Sequence, residues 1–287
     1  MSADLLILGC GFTGTEVAKR ALAAGFRVVA TTRREEGRAA AERLGIEIRV
    51  LPALTRDRVR ELVQPGAFVL ATFPPDGHTD REIAPALAAA RHVAYISTTG
   101  VYGAHRGHVD EATHVDPSEP RAKERLDAEN AYLDRGATVL RAAGIYGPGR
   151  GLHVRMKSGT FRVPGDGTNV VSRIHVADLA ELALGAFRRA AGDQAESARG
   201  RIFVVADDTP VPQIEVIRWL ASELGLPMPA HAAIGEVPPT LRHDRAVDNR
   251  RIKAWTGVSL LYPGYREGFA ACFAEERRHA EEPRPAE

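Results

Sequence analysis

The sequence predicts an α/β fold, a doubly wound parallel sheet with a smaller C-terminal lobe. The four apolar residues Leu5–Leu8 have the length and the neighbours of a buried parallel strand. A turn with three glycines and an amphipathic helix over residues 15–24 follow directly. Further along, short apolar runs alternate with helical segments at the spacing of βαβ units. Such units join parallel strands through right-handed crossovers.

The glycine turn predicts a phosphate-binding site. Gly9, Gly11 and Gly14 have the order G-x-G-x-x-G between a strand and a helix, which is the context that this motif requires. In a Rossmann fold the first glycine makes the tight turn, the second lets a pyrophosphate approach the backbone, and the third brings helix close to strand. The alternative is a turn that only packs the helix on the sheet. The cofactor-binding candidates here are Gly9, Cys10, Gly11, Phe12, Thr13 and Gly14.

The rest of the chain continues the alternation. We predict further strands over residues 26–31, 46–51, 67–71, 92–96, 137–141 and 201–205. We predict helices over residues 35–44, 55–63, 80–90, 121–133 and 174–189, and another that starts at Pro212. We assign residues 1–149 and 170–206 to a Rossmann domain and residues 150–169 and 207–276 to a smaller lobe. Residues 277–287 form a charged tail without core residues, which we expect to be disordered.

The end of the second strand indicates the cofactor. An enzyme that selects NAD usually has a carboxylate there for the ribose 2′-hydroxyl. This chain has Thr32, Arg33 and Arg34, with no carboxylate before Glu35. A guanidinium binds a 2′-phosphate through paired, charged hydrogen bonds, so NADP is favoured and NAD is the alternative. The other interpretation is that both arginines belong to a solvated helix start.

Ligands of open α/β sheets bind at the carboxyl ends of the strands. Ser97 and Thr98 follow the fifth strand, and Phe73 and Pro74 follow the fourth. We therefore include the two hydroxyl residues among the catalytic candidates and the other two among the cofactor-binding candidates.

Composition excludes several classes of protein. The 287 residues carry a net charge of +1, which gives no indication of binding to nucleic acid or to an anionic membrane. The two cysteines exclude a disulfide framework and suit a reducing cytosol. No apolar run approaches the length of a membrane span, and no signal peptide precedes the first strand. We expect a cytoplasmic, soluble monomer or homodimer that binds a small molecule and no metal.

The chain resembles the extended short-chain dehydrogenase/reductase family, also called the NAD(P)-dependent epimerase/dehydratase family. The resemblance rests on the glycine turn, Ser97–Gly103, Leu140–Pro148 and Ile174–Asp178, and extends to about residue 275. It implies a Rossmann domain with a C-terminal lobe that closes over the substrate, which in typical members is a nucleotide sugar.

The chain departs from the family at the catalytic motif. The family pairs a Ser or Thr, here Thr98, with a Tyr-x-x-x-Lys helix whose tyrosine is the acid/base. The matching segment begins with Arg121 and has Arg125 at the lysine position, and no tyrosine lies between Tyr102 and Tyr132. Arginine stays protonated and is a poor general base. The resemblance therefore implies an atypical branch that keeps the cofactor site and lacks the usual proton relay.

Several side chains could replace that relay. Arg121, Lys123 and Arg125 could supply positive charge to a developing alkoxide or a substrate phosphate. Tyr102 is a catalytic candidate, while Tyr146 is counted with the cofactor-binding candidates and could also serve as the acid. The sequence leaves two hypotheses: an NADP-dependent oxidoreductase or epimerase-like enzyme acting on a polar metabolite, or an NADP(H)-binding sensor without chemistry.

Overall fold

The computed structural model of the protein describes residues 4–192 and 195–281. The strands are β1 Asp4–Leu8, β2 Arg27–Thr32, β3 Glu47–Val50, β4 Phe68–Ala71, β5 His92–Thr98, β6 Gly107–Val109, β7 Thr138–Ala142, β8 Gly144–Tyr146, β9 Val163–Pro164, β10 Val170–Val171, β11 Arg173–His175, β12 Ile202–Val205, β13 Val211–Pro212, β14 His231–Ala232 and β15 Arg245–Val247. The helices are α1 Phe12–Ala23, α2 Arg38–Arg43, α3 Arg56–Leu62, α4 Thr79–Ile83, α5 Pro120–Leu133, α6 Leu152–Lys157, α7 Val176–Ala191, α8 Gln213–Leu224, α9 Arg250–Thr256 and α10 Tyr265–Glu281.

The main sheet has seven parallel strands in the order β12-β7-β5-β4-β1-β2-β3. The strand order reverses between β1 and β4, which makes the crevice outside their carboxyl ends the expected ligand site. The predicted doubly wound parallel sheet is confirmed. Three smaller sheets, of four, two and two strands, accompany it.

The apolar run of strand β1 is continuous because both faces of the strand are buried. Leu5 and Ile7 belong to the core cluster on one face of the sheet, where α1 packs against α7. Leu6 and Leu8 belong to the cluster on the other face, which includes residues of α3 and α5. Because both faces are covered by helices, every side chain of the run is buried.

A further core cluster lies in the C-terminal part of the chain. It joins α6, α8 and α10 through Met156, Phe161, Leu220 and Phe269, among others. This packing gives the smaller lobe a core of its own. The residue boundaries given above for the two domains remain a prediction.

Several predicted helices have different bounds in the structure. The helix predicted from Pro212 begins at Gln213, because Pro212 pairs with Val170 in strand β13. The helix predicted over 80–90 is α4 followed by a 3₁₀ helix at Ala84–Ala89, since Pro85 has no N–H to continue an α-helix. The helix predicted from residue 174 begins at Val176, because Ile174 and His175 pair with β8 in strand β11. The helix predicted over 35–44 is limited to α2.

The predicted C-terminal tail begins too early. Helix α10 continues through Glu281, so residues 277–281 are helical rather than disordered. The side chain of Cys272 and the other buried residues of α10 anchor its first part in the smaller lobe. Residues 282–287 of the predicted tail lie outside the described residues.

Candidate active site

A cavity of about 880 Å³ lies at the carboxyl ends of the central strands. Its wall brings together nine of the residues selected from the sequence: Gly11, Phe12, Thr13, Phe73, Pro74, Ser97, Thr98, Arg125 and Tyr146. It also contains residues that sequence analysis did not select, among them Thr72, Arg150, Arg155, Arg173, Gln213 and Phe269. The elements that supply them come from both the main sheet and the smaller lobe.

The three glycines of the turn have distinct surroundings. Gly9 has φ +93°, and a Cβ there would lie 2.8 Å from Cβ of Phe73. A Cβ on Gly14 would lie 2.8 Å from the carbonyl oxygen of Gly9, so only glycine lets α1 approach β1 this closely. A Cβ on Gly11 would meet nothing within 4 Å, although Gly11 lines the cavity. This open cradle beside the start of α1 fits a pyrophosphate.

Cys10 is directed away from the cavity that its neighbours line. Its N–H donates to the Thr31 carbonyl oxygen at 2.6 Å, and its Sγ lies 3.6 Å from the Thr15 hydroxyl. Burial raises the pKa of the thiol, so Cys10 stays protonated at neutral pH. The backbone of Cys10 belongs to the turn, but its side chain is no reactive thiolate.

The end of β2 is hydrogen-bonded to the glycine turn. The Gly9 N–H donates to the Thr31 hydroxyl at 3.0 Å. Thr32 is half-buried, whereas Arg33 and Arg34 are exposed immediately after it. The first carboxylate, that of Glu35, accepts a hydrogen bond from Arg38 at 3.1 Å within the following turn. The two arginines lie beyond the cavity wall, at the end of the strand where a ribose partner is expected.

Thr98 lies in the cavity wall at the start of a short 3₁₀ helix. Its Oγ1 accepts a hydrogen bond from the Gly100 N–H at 3.1 Å. A hydroxyl that accepts through its oxygen keeps its own hydrogen available for a ligand. Of the two adjacent hydroxyl candidates, Thr98 is therefore the one whose proton can face the cavity.

The Ser97 hydroxyl belongs to a buried network of hydrogen bonds. Its Oγ donates to Oε1 of Glu129 at 2.5 Å, and Glu129 forms an ion pair with Arg141 at 2.7 Å. Arg141 also donates to the Tyr102 hydroxyl at 3.1 Å, which in turn donates to the Asp110 carbonyl oxygen at 3.2 Å. Tyr102 is fully buried and lies outside the cavity wall, which corrects its selection as a catalytic residue.

Helix α5 places only one of its three candidate cations in the cavity wall. Arg125 is held there by hydrogen bonds from its Nη1 to the Tyr95 hydroxyl at 2.8 Å and to the Ile96 carbonyl oxygen at 3.4 Å. Arg121, one turn earlier, is exposed and outside the wall. Lys123 points to solvent and pairs with Asp127 at 2.9 Å, because it lies on the opposite face of the helix from Arg125.

Tyr146 lies at the junction of the cavity with the smaller lobe. Its ring packs against Phe269 with a centroid distance of 4.4 Å and against His175 at 5.3 Å. The hydroxyl is buried against Gly268 and has no hydrogen-bond partner among the described residues. Burial raises the pKa of Tyr146 strongly, so the hydroxyl is a poor proton donor, which argues against the acid role considered from the sequence.

The cavity contains three further arginines that the sequence patterns did not predict, Arg150, Arg155 and Arg173. Arg150 lies 5.0 Å from the Phe12 ring centre and Arg155 5.7 Å from that of Phe161, which holds both over aromatic faces. Arg173 directly precedes the Ile174–Asp178 motif. Its proximity to that motif was the available signal, but no spacing rule indicates that a residue before a helix points into a cavity.

His175 has a structural role. Its Nδ1 accepts a hydrogen bond from the Ala177 N–H at 3.2 Å and so caps α7. Burial lowers the pKa of His175 to about 4, which keeps the ring neutral as this bond requires. Within residues 4–192 and 195–281, no group of three His, Cys, Asp or Glu side chains could hold a metal ion. In the same ranges no helix is long and apolar enough to cross a membrane.

The fold and the glycine cradle define a dinucleotide-binding protein of the doubly wound α/β class. A family model described as the NAD dependent epimerase/dehydratase family matches residues 5–206. The chain belongs to this family.

The curated relatives match only parts of the chain. Short-chain dehydrogenase/reductase family 42E member 1 of Macaca fascicularis is 34% identical over 119 residues, which are 38% of this chain and 30% of that protein. A 3-diazoavenalumate denitrifying reductase of a Streptomyces species is 28% identical over 179 residues, 55% of this chain and 56% of the reductase. The matched residues thus span 30% of the length of the first relative and 56% of the length of the second.

Solved structures match over almost the whole chain. A functionally unknown conserved protein from Silicibacter pomeroyi DSS has a TM-score of 0.80 and 32% identity, covering 96% of this chain and 99% of the other. The structure of MoeE5 in complex with UDP-glucose and NAD has a TM-score of 0.78 and 21% identity, covering 97% and 100%. The second likeness establishes the fold alone.

Proposed function

We propose that the chain is an NADP-dependent oxidoreductase or epimerase-like enzyme acting on a polar metabolite, such as a sugar or a nucleotide sugar. The observation that carries this proposal is the shared cavity. Its wall contains the open glycine cradle at Gly11 together with the Thr98 hydroxyl and the Arg125 guanidinium. A cofactor site and reactive polar groups thus face the same cavity, as hydride transfer requires.

The preference for NADP rests on the end of β2. Two exposed arginines stand where a carboxylate would hold the ribose of NAD, and Glu35 is engaged by Arg38. A free 2′-phosphate would gain charged hydrogen bonds from Arg33 or Arg34. Replacing Arg33 by Asp should weaken NADP binding and improve NAD binding, as measured by titration of both cofactors. Equal affinity of the wild type for both would contradict the preference.

In such a reaction the residues of the cavity wall would have different roles. Gly11, Phe12 and Thr13 bind the dinucleotide at the positive end of α1. A nicotinamide held there would supply or accept the hydride. Thr98 orients the reacting oxygen with its free O–H, and Arg125 stabilises negative charge that develops on that oxygen.

The proton that accompanies hydride transfer needs a donor other than these cations. A guanidinium does not release its proton at neutral pH and is therefore no general acid. Water that reaches the cavity beside Thr98 would supply this proton. Activity should therefore depend on Thr98 and be insensitive to Tyr102, which lies in the buried network.

The enzyme hypothesis is tested by a metabolite screen against bound NADPH. Changes in the fluorescence of the bound nicotinamide would report binding, and loss of its absorbance would report turnover. Sugars, sugar phosphates and nucleotide sugars form the first panel. Consumption of NADPH by at least one compound in wild type, absent in Thr98→Val, is the expected result.

A second candidate is a sensor that binds NADP(H) without chemistry. It is favoured by one observation: Arg121, which stands at the family's tyrosine position, is exposed and outside the cavity wall. The double substitution Arg121→Tyr and Arg125→Lys separates the hypotheses. Carbonyl reduction that appears only in this variant would indicate that the native chain binds the cofactor but has lost the relay.

A further inference from the structure

The Glu276 carboxylate of α10 accepts three hydrogen bonds from one segment that lies 119 to 127 positions earlier in the chain. Its Oε1 accepts from the Gly149 N–H at 2.9 Å and from Nε2 of His153 at 2.7 Å. Its Oε2 accepts from Nζ of Lys157 at 2.8 Å. Hydrogen bonds to an ionised acceptor are roughly twice as strong as those between neutral groups. Glu276 therefore connects the end of the smaller lobe firmly to residues 149–157.

Glu276 is ionised at neutral pH. Burial opposes the charge, but hydrogen bonds from Lys157, Gly149 and His153 hold the pKa of the carboxyl at about 2. Burial also lowers the pKa of His153, so its ring is neutral. Because a carboxylate can only accept, Nε2 is the ring nitrogen of His153 that has the proton. The ring is fully buried and packs edge-on against Phe269 at 5.3 Å, so this donor has a fixed direction.

The segment that Glu276 holds begins with a tight loop at residues 147–151. Two backbone hydrogen bonds close this loop, from the Gly147 N–H to the Arg150 carbonyl oxygen at 2.9 Å and from the Arg150 N–H to that of Gly147 at 3.0 Å. Gly149 has φ +71°, in the left-handed region. Glycine has more backbone freedom than any other residue, so a loop with three glycines needs contacts from outside to keep one conformation. The bond from Gly149 to Glu276 is such a contact.

The loop at residues 147–151 lies against the glycine turn. A Cβ on Gly147 would lie 3.0 Å from Cζ of Phe12, and the guanidinium carbon of Arg150 lies 5.0 Å from the centre of the same ring. Phe12, Gly11 and residues 149–151 all belong to the cavity wall. The loop therefore forms the wall of the cavity beside the cradle that fits a pyrophosphate.

We propose that Glu276 is a positioning residue for dinucleotide binding, which holds the loop at residues 147–151 against the glycine turn. A wall that is in place before the ligand arrives loses less conformational entropy on binding. Loosening the loop should accelerate dissociation of the cofactor more than it slows association, as is usual when contacts around a bound ligand are weakened. This inference rests on the proposed function, because it assigns the glycine turn to NADP.

The packing of α10 separates this role from stabilisation of the lobe. The buried residues of the helix, Tyr265, Gly268, Phe269 and Cys272, all precede Glu276. The Glu276 side chain itself is 23% exposed. Its removal should therefore leave the smaller lobe folded while the loop at residues 147–151 becomes mobile.

The test measures the Kd and the dissociation rate of NADPH for the full chain, and trypsin cleavage after Arg150 in the cofactor-free protein. Glu276→Ala should raise the Kd and the dissociation rate about tenfold and accelerate this cleavage about fivefold or more. Glu275→Ala is the matched control, because Glu275 pairs with His279 of its own helix at 3.7 Å. It should keep all three values within about twofold of the wild type. Urea unfolding confirms that each variant is folded.

Two conservative variants separate positioning from charge, and they cover the case in which Glu276→Ala does not fold. Glu276→Gln keeps the length of the side chain and an acceptor for Gly149 and His153, but loses the charge facing Lys157. Glu276→Asp keeps the charge but is one methylene group shorter, so it cannot reach Gly149. Positioning predicts NADPH binding within about threefold of the wild type for Glu276→Gln and the full loss for Glu276→Asp. A role limited to neutralising Lys157 predicts the reverse order.

The proposal is overturned if folded Glu276→Ala keeps the wild-type Kd, dissociation rate or cleavage rate. It is also overturned if Glu276→Asp binds NADPH more tightly than Glu276→Gln, or if Glu275→Ala loses as much affinity as Glu276→Ala. Failure of the wild type to bind NADPH would instead contradict the proposed function. The trypsin assay needs no cofactor and would still decide whether Glu276 holds the loop, which keeps the two failures distinct.

Discussion

Ser97 Oγ donates a hydrogen bond to Glu129 Oε1 at 2.5 Å, and both residues are at least 97% buried. This bond fixes the orientation of the hydroxyl at the end of β5 and turns its proton away from the cavity. The adjacent Thr98 is left with a free O–H in the same wall. Two neighbouring hydroxyls therefore have different roles, one in holding the site together and one facing the ligand.

Thr98→Val should remove most of the turnover and leave NADPH affinity nearly unchanged. The substitution keeps the shape of the side chain and removes one hydroxyl that contacts the reacting oxygen. Loss of such a donor typically lowers kcat by about 10²–10³. Steady-state kinetics on any substrate found in the screen, with NADPH titration as the control, measure both quantities. Unchanged kcat would exclude Thr98 from the reaction.

Glu129→Gln should destabilise the fold by about 3–5 kcal/mol. The substitution leaves the buried Arg141 without its charged partner and weakens the hydrogen bond of Ser97. Asp127→Asn in the same helix breaks an exposed pair with Lys123 and should cost no more than about 1 kcal/mol. Denaturant unfolding of the two variants measures the difference. Equal free energies of unfolding would contradict the structural role of the network.

Much of this arrangement follows from local sequence. The run Leu5–Leu8, the glycine spacing and the alternation of strands and helices predicted the seven-stranded sheet, because each signal is local and periodic. The same logic located Thr98 at a strand end. These features depend on residues that are close in sequence, and for them the structure agrees with the predictions.

The side-chain directions could not be predicted. Tyr102 and Ser97 are drawn into the buried network by Glu129 and Arg141, whose pairing spans 12 positions from helix to strand. Arg173 enters the cavity because β11 pairs with β8, a contact over about thirty residues that no periodicity indicates. Pattern rules identify which residues end a strand, whereas tertiary packing decides which of them face a ligand.

The stability of the wild type should fall relative to Asp207→Asn as pH rises from about 4 to 7. The folded-state pKa of Asp207 is raised from 3.8 to about 7, so in this window the folded chain retains a proton that the unfolded chain releases. The difference in the free energy of unfolding between the two proteins should decrease by up to about 4 kcal/mol and level off above pH 7. The buried histidines are common to both proteins, so their contributions cancel.

Urea unfolding of both proteins at several pH values measures this difference. If the difference increases with pH, ionised Asp207 is stabilised by Arg173 more than it is destabilised by burial.

Titration of wild type and Gly11→Val with NADPH and NADH tests whether the cavity binds NADP through the glycine turn. A valine at position 11 meets no protein atom near its Cβ, so the variant should fold with the stability of the wild type while its side chain occupies the cradle. We predict tighter binding of NADPH than of NADH by the wild type and loss of both in Gly11→Val. A folded Gly11→Val protein with wild-type affinity for NADPH would contradict the account.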